Sequence, residues 1–237
     1  MTTERGAALI VALWVLGLLS VLMVGVIATV RLENQQSQYE LDQLRARLAA
    51  QAGLALALEA LAAPTASGFE ADGRPSALTY EGMPLTVWVE SERGKLDLNS
   101  TDAGSVERLL SARGASPEQT RQLIQALQHW QAAGRRLETF EQLYDVPSMD
   151  AALLERLSPD ITLWTGLGAP DPVFASPALQ QVLGLSPGGL SNGPGSLFTL
   201  RSVARLPNGS SSGLQATLHL LPGGGSGPLY RVLRWQE

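Results

Sequence analysis

Residues 7–30 read AALIVALWVLGLLSVLMVGVIATV, and this stretch decides how the rest of the chain is arranged. It contains no charged residue, and only Gly17, Ser20, Gly25 and Thr29 interrupt its apolar side chains. A helix of this length rises about 36 Å, enough to cross the hydrocarbon core of a bilayer, which is about 30 Å thick. The sequence therefore predicts a helix embedded in a membrane.

A cleaved secretory signal peptide is the alternative interpretation of this stretch. The apolar region of such a signal usually runs about 7–15 residues and follows a positively charged segment. Here the apolar run is longer, and Glu4 offsets the charge of Arg5. Residues 26–28 offer only a weak small-residue cleavage site. We therefore expect the helix to be retained.

Nothing in the sequence ends the helix where the apolar run ends. Between Arg31 and Ala63 there is no proline and no glycine except Gly53, and good helix formers dominate. We expect one helix over residues 7–63. Its second half carries apolar residues at helical spacing, which predicts that this face packs on a globular domain. These residues are Leu41, Leu44, Leu48, Ala52 and Ala55, followed by a switch to Leu54, Leu58 and Leu61.

The composition excludes several classes of protein. Of the 237 residues, 45% are apolar and none is cysteine, so a disordered chain, a disulfide scaffold and a thiolate metal site are excluded. The net charge is −5, and residues 31–164 alone carry −7. Because the chain has no basic domain that could bind along a phosphate backbone, we expect no nucleic-acid partner.

The rest of the chain predicts a sheet that is interrupted by helices. Residues 64–99 form the first part of the sheet, with a Gly-bearing turn at 81–84 and alternating apolar residues after it. Leu96 and Leu98 are expected on the same sheet. Residues 197–237 supply three more strands that complete one antiparallel sheet.

Residues 100–164 predict an inserted all-α subdomain of four short helices. Ser116, Pro117 and Gln119 give one helix a cap, a first-turn proline and a capping-box partner. Residues 165–196 are rich in Gly and Pro, so we expect a connection with one helix over 177–183. The predicted fold class is thus α+β: a long N-terminal helix packed on an antiparallel sheet with a helical insertion.

The sequence offers no arrangement of catalytic side chains. The two histidines, His129 and His219, have no ordered Ser–acid arrangement nearby, and we expect both to be surface residues. The glycines at 223–225 are not followed by the Lys and Ser or Thr of a phosphate-binding loop. We expect that the protein is not an enzyme.

The start of the chain resembles that of type IV pilin-like proteins, in which a polar leader ending in Gly precedes an apolar helix. The resemblance implies that residues 1–6 are a leader, that prepilin peptidase cuts between Gly6 and Ala7, and that Ala7 is N-methylated. Most members have Glu where this chain has Val11. The K-type minor pseudopilins of type II secretion (general secretion pathway protein K family) resemble the chain in that departure.

Four later stretches resemble that family in the same order along the chain. Asp97 stands where one family signature has Asn, and Ser148 stands where another has Gly. The stretches are Arg45–Leu54, Gly94–Ser100 (GKLDLNS), Phe140–Pro147 (FEQLYDVP) and Tyr230–Trp235 (YRVLRW).

The resemblance implies a pilin-like fold and a minor pseudopilin at the tip of the type II secretion pseudopilus. Its partners would be the I-type and J-type minor pseudopilins in a heterotrimeric tip complex, the major pseudopilin, prepilin peptidase and inner-membrane lipid. The helix would cross the inner membrane once, with the globular domain in the periplasm. The alternatives are a signal-anchored periplasmic binding module and a minor pilin of a type IV pilus.

The family has calcium sites in its inserted domain, and calcium takes six to eight oxygen ligands. No Asp-x-Asp-x-Asp loop is present here, so we assign no metal ligand and expect no cofactor, with calcium bound by unassigned ligands as the open alternative. We expect the neighbouring acids to be solvated or to cap helices. These acids are Asp97, Asp102, Glu107, Asp145, Asp150 and Asp160.

Overall fold

The computed structural model describes residues 3–62, 69–186, 191–221 and 229–237. Side chains at 3–12, 21, 24–30 and 32 lie outside the described part. Helix α1 spans Thr3–Ala62 without interruption, about 90 Å at 1.5 Å per residue. The continuous N-terminal helix expected from the absence of breakers is therefore present.

Within the part of the chain that the structure describes, no helix is at once long enough and apolar enough to cross a membrane. Gly6, Ala7 and Val11 belong to the helical backbone of α1, but their side chains lie outside the described residues. Cleavage and methylation at Gly6 and Ala7 thus stay predictions.

The elements after α1 alternate between a sheet and a group of short helices. They are β1 (Asp72–Tyr80), β2 (Met83–Ser91), β3 (Leu96–Asp97), α2 (Ala103–Ala112), α3 (Pro117–Ala132), α4 (Ala151–Leu157), β4 (Ile161–Thr162), α5 (Pro177–Leu183), β5 (Leu197–Arg205), β6 (Ser211–Leu220) and β7 (Tyr230–Gln236). Two 3₁₀ helices, Glu92–Gly94 and Phe140–Asp145, lie between them.

The larger sheet is antiparallel and has the strand order β1-β2-β5-β6-β7. Strands β2 and β5 are neighbours although the helical group separates them in sequence, and Ser91 pairs with Phe198 where the chain leaves and re-enters the sheet. The prediction that strands from both ends of the domain form one antiparallel sheet is confirmed.

Helix α1 packs on one face of this sheet, over β2, β5 and β6, and does so through small side chains. Because side chains advance by about 100° per residue on a helix, Ala46, Ala50, Gly53 and Ala57 fall on one line and are all buried. Leu54 is buried beside them, and Leu58 and Leu61 pack on the edge of the same core, as predicted. The sheet contributes Leu85, Val87, Val89, Phe198, Leu200, Ala204, Leu214, Ala216 and Leu218.

The leucine face predicted for the first part of this packing is wrong. Leu41, Leu44 and Leu48 are 49%, 52% and 54% exposed, on the side of α1 turned away from the sheet. Small residues bring the helix close to the strands, so the buried face here is the alanine face rather than the leucine face.

A second core belongs to the helical subdomain, built mainly from α2, α3, α4 and α5. Leu96 and Leu98 lie in this core and not in the larger sheet, because β3 pairs in parallel with β4 instead of with β2. Leu179 and Leu183 of α5 also join it. The helix predicted over 177–183 is present, and one of the four short helices predicted for residues 100–164 is the 3₁₀ helix Phe140–Asp145.

Candidate interaction surface

The outward face of α1 carries an apolar stripe, which we define as Leu41, Leu44 and Leu48. The 3-4 spacing of these residues keeps them on one side of the helix, opposite the buried line through Ala46 and Ala50. Each leucine is about half exposed. A contiguous row of exposed large apolar side chains on a helix is typical of a surface that receives another helix.

Two polar contacts join α1 to the sheet near the place where the helix leaves it. Asn208 Nδ2, in the turn between β5 and β6, donates to Asp42 Oδ2 at 2.6 Å. Arg47 forms an ion pair with Glu237, which follows β7. Arg47 and Glu237 are about half exposed, so their ion pair stabilises the fold little. The direction of the stripe follows from the opposite face of α1, which is buried on the sheet at Ala46 and Ala50.

A cleft of about 680 Å³ opens between α1 and the turn that holds Asn208. Its lining is mostly amides and hydroxyls, and Asp42 is the carboxylate among the lining residues, which include Gln38, Tyr39 and Gln43. This set holds no paired acid and base for proton transfer.

The GKLDLNS stretch ties the helical subdomain to the sheet. Gly94 lies so close to the loop before α5 that a Cβ at this position would be 2.2 Å from the carbonyl oxygen of Phe174. Lys95 is buried, and its Nζ donates to Glu92 Oε1 at 2.6 Å and to Thr199 Oγ1 at 3.3 Å. Glu92 is 1% exposed, so the pair is a buried ion pair at the join of the two parts.

The polar residues of the same stretch hold loops of the subdomain in place. The Asp97 carboxylate accepts from the backbone amides of Asn99 (2.8 Å) and Gly166 (2.6 Å) and from Thr165 Oγ1 (3.1 Å). The Asn99 side chain bonds both backbone groups of Leu137. The residues of this stretch that resemble the family signature therefore hold loops of the helical subdomain in place.

The remaining acids considered for a metal site have partners of their own. Asp102 caps α2 by accepting from the Ser105 amide at 3.0 Å and from its hydroxyl at 2.7 Å, and these hydrogen bonds lower the pKa of Asp102. Asp150 caps α4 by accepting from the Leu153 amide at 2.6 Å. Asp160 pairs with Arg113. The expectation of helix caps is thus confirmed for Asp102 and Asp150. The expectation is wrong for Asp97 and Asp160, which are buried and bonded to other parts of the fold.

Over the described residues, no three His, Cys, Asp or Glu side chains come close enough together to hold a metal ion. Glu107 and Asp145 are exposed. His129 is exposed on α3, and His219 is half-buried on the face of β6 away from α1. The two histidines thus lie on different parts of the fold, His129 on the helical subdomain and His219 on the sheet.

No family model matches the chain, and no curated protein matches it. Among solved structures, it is similar to a chain in the crystal structure of the GspK-GspI-GspJ complex from the type 2 secretion system of enterotoxigenic Escherichia coli. The match covers 86% of this chain and 98% of that chain, with a TM-score of 0.54 and 14% sequence identity. At this identity the likeness establishes the fold, which is pilin-like.

Proposed function

We propose that this protein is a K-type minor pseudopilin, located at the tip of the type II secretion pseudopilus. There it initiates fibre assembly with other minor pseudopilins for the export of folded proteins across the outer membrane. The observation that carries the proposal is the shape of α1: it packs on the sheet near its C-terminal end and presents the Leu41, Leu44 and Leu48 stripe outward. A row of exposed leucines on one helix face suits contact with another helix, and a fibre subunit would bury it against a neighbouring helix.

The N-terminal sequence supports the same role. Residues 7–30 serve as the inner-membrane anchor, and residues 1–6 as a leader that prepilin peptidase removes between Gly6 and Ala7 before Ala7 is methylated. The globular domain then faces the periplasm. Val11 supports the tip position. Most family members have Glu at this place, and an unpaired carboxylate at membrane depth costs about 2.5–3.5 kcal/mol. A subunit at the tip has no preceding neighbour to pair with that carboxylate, so Val suits the position.

The partners follow from this position. The I-type and J-type minor pseudopilins would form the tip complex with this chain, and the major pseudopilin would extend the fibre below it. The similar solved chain comes from a complex of GspK with GspI and GspJ. The sequence offers no catalytic arrangement, so the proposed role is structural.

The experiment that tests the proposal is substitution of the leader glycine in the full-length protein. Gly6→Val should block processing, keep the uncleaved species in the membrane and abolish secretion. Gly17→Val is the matched control, because it makes the same change in the same helix at a position with open space around it. We expect Gly17→Val to be processed normally.

N-terminal sequencing of the membrane-extracted protein provides the second readout. A methylated N-terminus at Ala7 supports a pilin-like subunit. A chain that keeps Met1 or Thr2, or normal secretion by Gly6→Val, contradicts the proposal and favours a plain signal-anchored protein. Co-purification with secretion subunits, as opposed to surface-pilus subunits, separates the pseudopilin from a minor pilin.

A further inference from the structure

Strand β7 lies at the edge of the larger sheet, and its two faces have different surroundings. Directly paired residues on antiparallel strands point to the same side of a sheet. Trp235 pairs with Ala216, Val232 with Leu218, and Tyr230 with Leu220. Ala216 and Leu218 are buried in the core beneath α1. Tyr230, Val232 and Trp235 therefore point to the α1 side of the sheet.

The opposite face of β7 is already covered. Arg234 points to that side, where its guanidinium lies 4.2 Å from the ring centroid of Phe140 and donates to Ser158 Oγ at 3.3 Å. Burial lowers the pKa of Arg234 below its ordinary value. This face thus rests against the helical subdomain.

The α1 side of β7 is not covered by the described residues. Tyr230, Val232 and Trp235 are between 41% and 47% exposed, while their partners on β6 are buried or half-buried. The difference arises because α1 lies over β2, β5 and β6 and stops short of β7. The apolar face of the sheet therefore continues beyond the helix that covers it.

The uncovered strip is one strand wide and borders α1. Strands lie about 4.8 Å apart and a helix with its side chains is about 10–12 Å wide, so a second helix seated beside α1 would cover β7 and extend past the edge of the sheet. Helix α1 does not cover β7, and Arg47 of α1 reaches Glu237, the residue that follows β7. A helix placed there would contact both the strip and α1.

Addition of a strand to the edge of β7 is disfavoured by the strand itself. The pairing register shifts between Thr217 and Leu218, so that Leu233 has no partner and β7 is bulged. A bulge breaks the regular row of backbone groups that an added strand would need. The apolar side chains also lie on the face of the strand and not along its free edge.

We infer that Tyr230, Val232 and Trp235 form the docking strip for the N-terminal helix of another pilin-like subunit, which lies beside α1 on the same sheet face. The inference rests on the proposed function, and it says which surface of this chain one of the proposed partner subunits contacts. The occupant is a helix with an apolar face, because the strip continues a surface on which this chain's own helix is already seated. The Arg47–Glu237 ion pair borders the strip at one end, and Trp235 Nε1 donates to Glu237 Oε1 at 3.2 Å.

Site-specific photo-crosslinking in the full-length, membrane-embedded protein tests the docking strip. A photoreactive amino acid is placed at Val232 or at Trp235, and crosslinked peptides are identified by mass spectrometry. We expect both positions to crosslink to the N-terminal helix of another pilin-like subunit. Tyr80 is the control position. It is also exposed on an edge strand, but that strand is β1, at the opposite edge of the sheet from β7.

A substitution provides the independent readout. Val232→Asp should lower the amount of pilin-like subunit that co-purifies with the full chain by about tenfold or more, since a docked helix would leave the carboxylate desolvated. Tyr80→Asp should leave the amount within about twofold of the parent protein. Because both side chains are exposed, circular dichroism should show the two variants folded.

The outcomes separate this inference from the proposed function. If the chain co-purifies with pilin-like subunits but Val232 and Trp235 give no crosslinks to their helices, the docking strip is wrong and the proposed function stands. Crosslinks confined to this chain itself, or full retention of partners by Val232→Asp, would also overturn the strip. If no pilin-like subunit associates with the parent protein at all, the proposed function fails first.

Discussion

Gly53 of α1 lies directly against Ser202 of β5: a Cβ at Gly53 would be 2.2 Å from Ser202 Oγ and 3.2 Å from Val87 Cγ2. Both Gly53 and Ser202 are buried. This contact sets the distance between the helix and the sheet. It explains why a residue that weakens helices occupies the interior of a 60-residue helix.

Gly53→Ala is expected to destabilise the protein by about 1–2 kcal/mol, because the cost of overpacking exceeds the gain in helix propensity. Urea denaturation in detergent measures the change. Ser202→Ala is the partner variant: the hydroxyl has no hydrogen-bond partner among the described residues, so its removal should cost little.

The double variant Gly53→Ala/Ser202→Ala should recover most of the stability lost by Gly53→Ala, since the atom at 2.2 Å is gone. If the two effects simply add, the contact is not what limits the helix–sheet distance.

Gly94→Ala should be more damaging than Gly53→Ala. A Cβ at Gly94 meets the backbone of Phe174, which cannot turn away as a hydroxyl can, so we expect a loss of about 3 kcal/mol. Gly168→Ala is the matched control, because its Cβ would only reach ordinary contact at 3.7 Å from the Ser100 carbonyl. Equal thermal denaturation midpoints for the two variants would contradict this account.

Lys95→Met should destabilise the protein by about 3–5 kcal/mol, because it leaves the Glu92 carboxylate buried without its partner. Adding Glu92→Gln removes the unpaired charge and keeps an acceptor for Thr199, whose hydroxyl donates to Glu92 at 2.6 Å. The double variant should therefore be more stable than Lys95→Met alone in urea denaturation. A double variant that is equally unstable would show that the charge is not the cause.

The cap at Asp102 predicts a pH dependence. Hydrogen bonds from Ser105 lower the pKa of Asp102 in the folded state, so its stabilisation is present above the unfolded pKa, about 3.9, and is lost as the pH falls through the folded value. Asp102→Ala should cost about 1 kcal/mol at pH 7, and the cost should shrink in more acidic solution. Asp102→Asn keeps the acceptor oxygen and should show a smaller loss with little pH dependence. A loss by Asp102→Ala that does not change with pH would contradict the assignment.

The sequence predicted those parts of the fold that depend on local rules. The absence of breakers predicted α1, alternation predicted β2, and the cap, proline and capping box of Ser116, Pro117 and Gln119 predicted the start of α3, all of which the structure contains. Each of these signals lies within a few residues of the element that it specifies.

Long-range packing was harder to predict. The leucine spacing on α1 favoured the wrong face, because periodicity gives weight to large side chains while the close approach to Ser202 selects Gly53 and its alanine neighbours. Leu96 and Leu98 were predicted on the wrong sheet, because the pairing of β3 with β4 involves residues more than sixty positions away. The exposure of the strip on β7 depends on how far α1 extends across the sheet, and no local sequence pattern predicts that extent.

The exit and return of the chain at paired residues Ser91 and Phe198 have a mechanical consequence. Tension applied along α1 passes into the sheet through the contacts of the helix with β2, β5 and β6. The helical subdomain is inserted between β2 and β5 and rests against the sheet on the side away from α1, so it lies outside this path. A fold built this way can accept a large insertion while the load path from helix to sheet stays outside it.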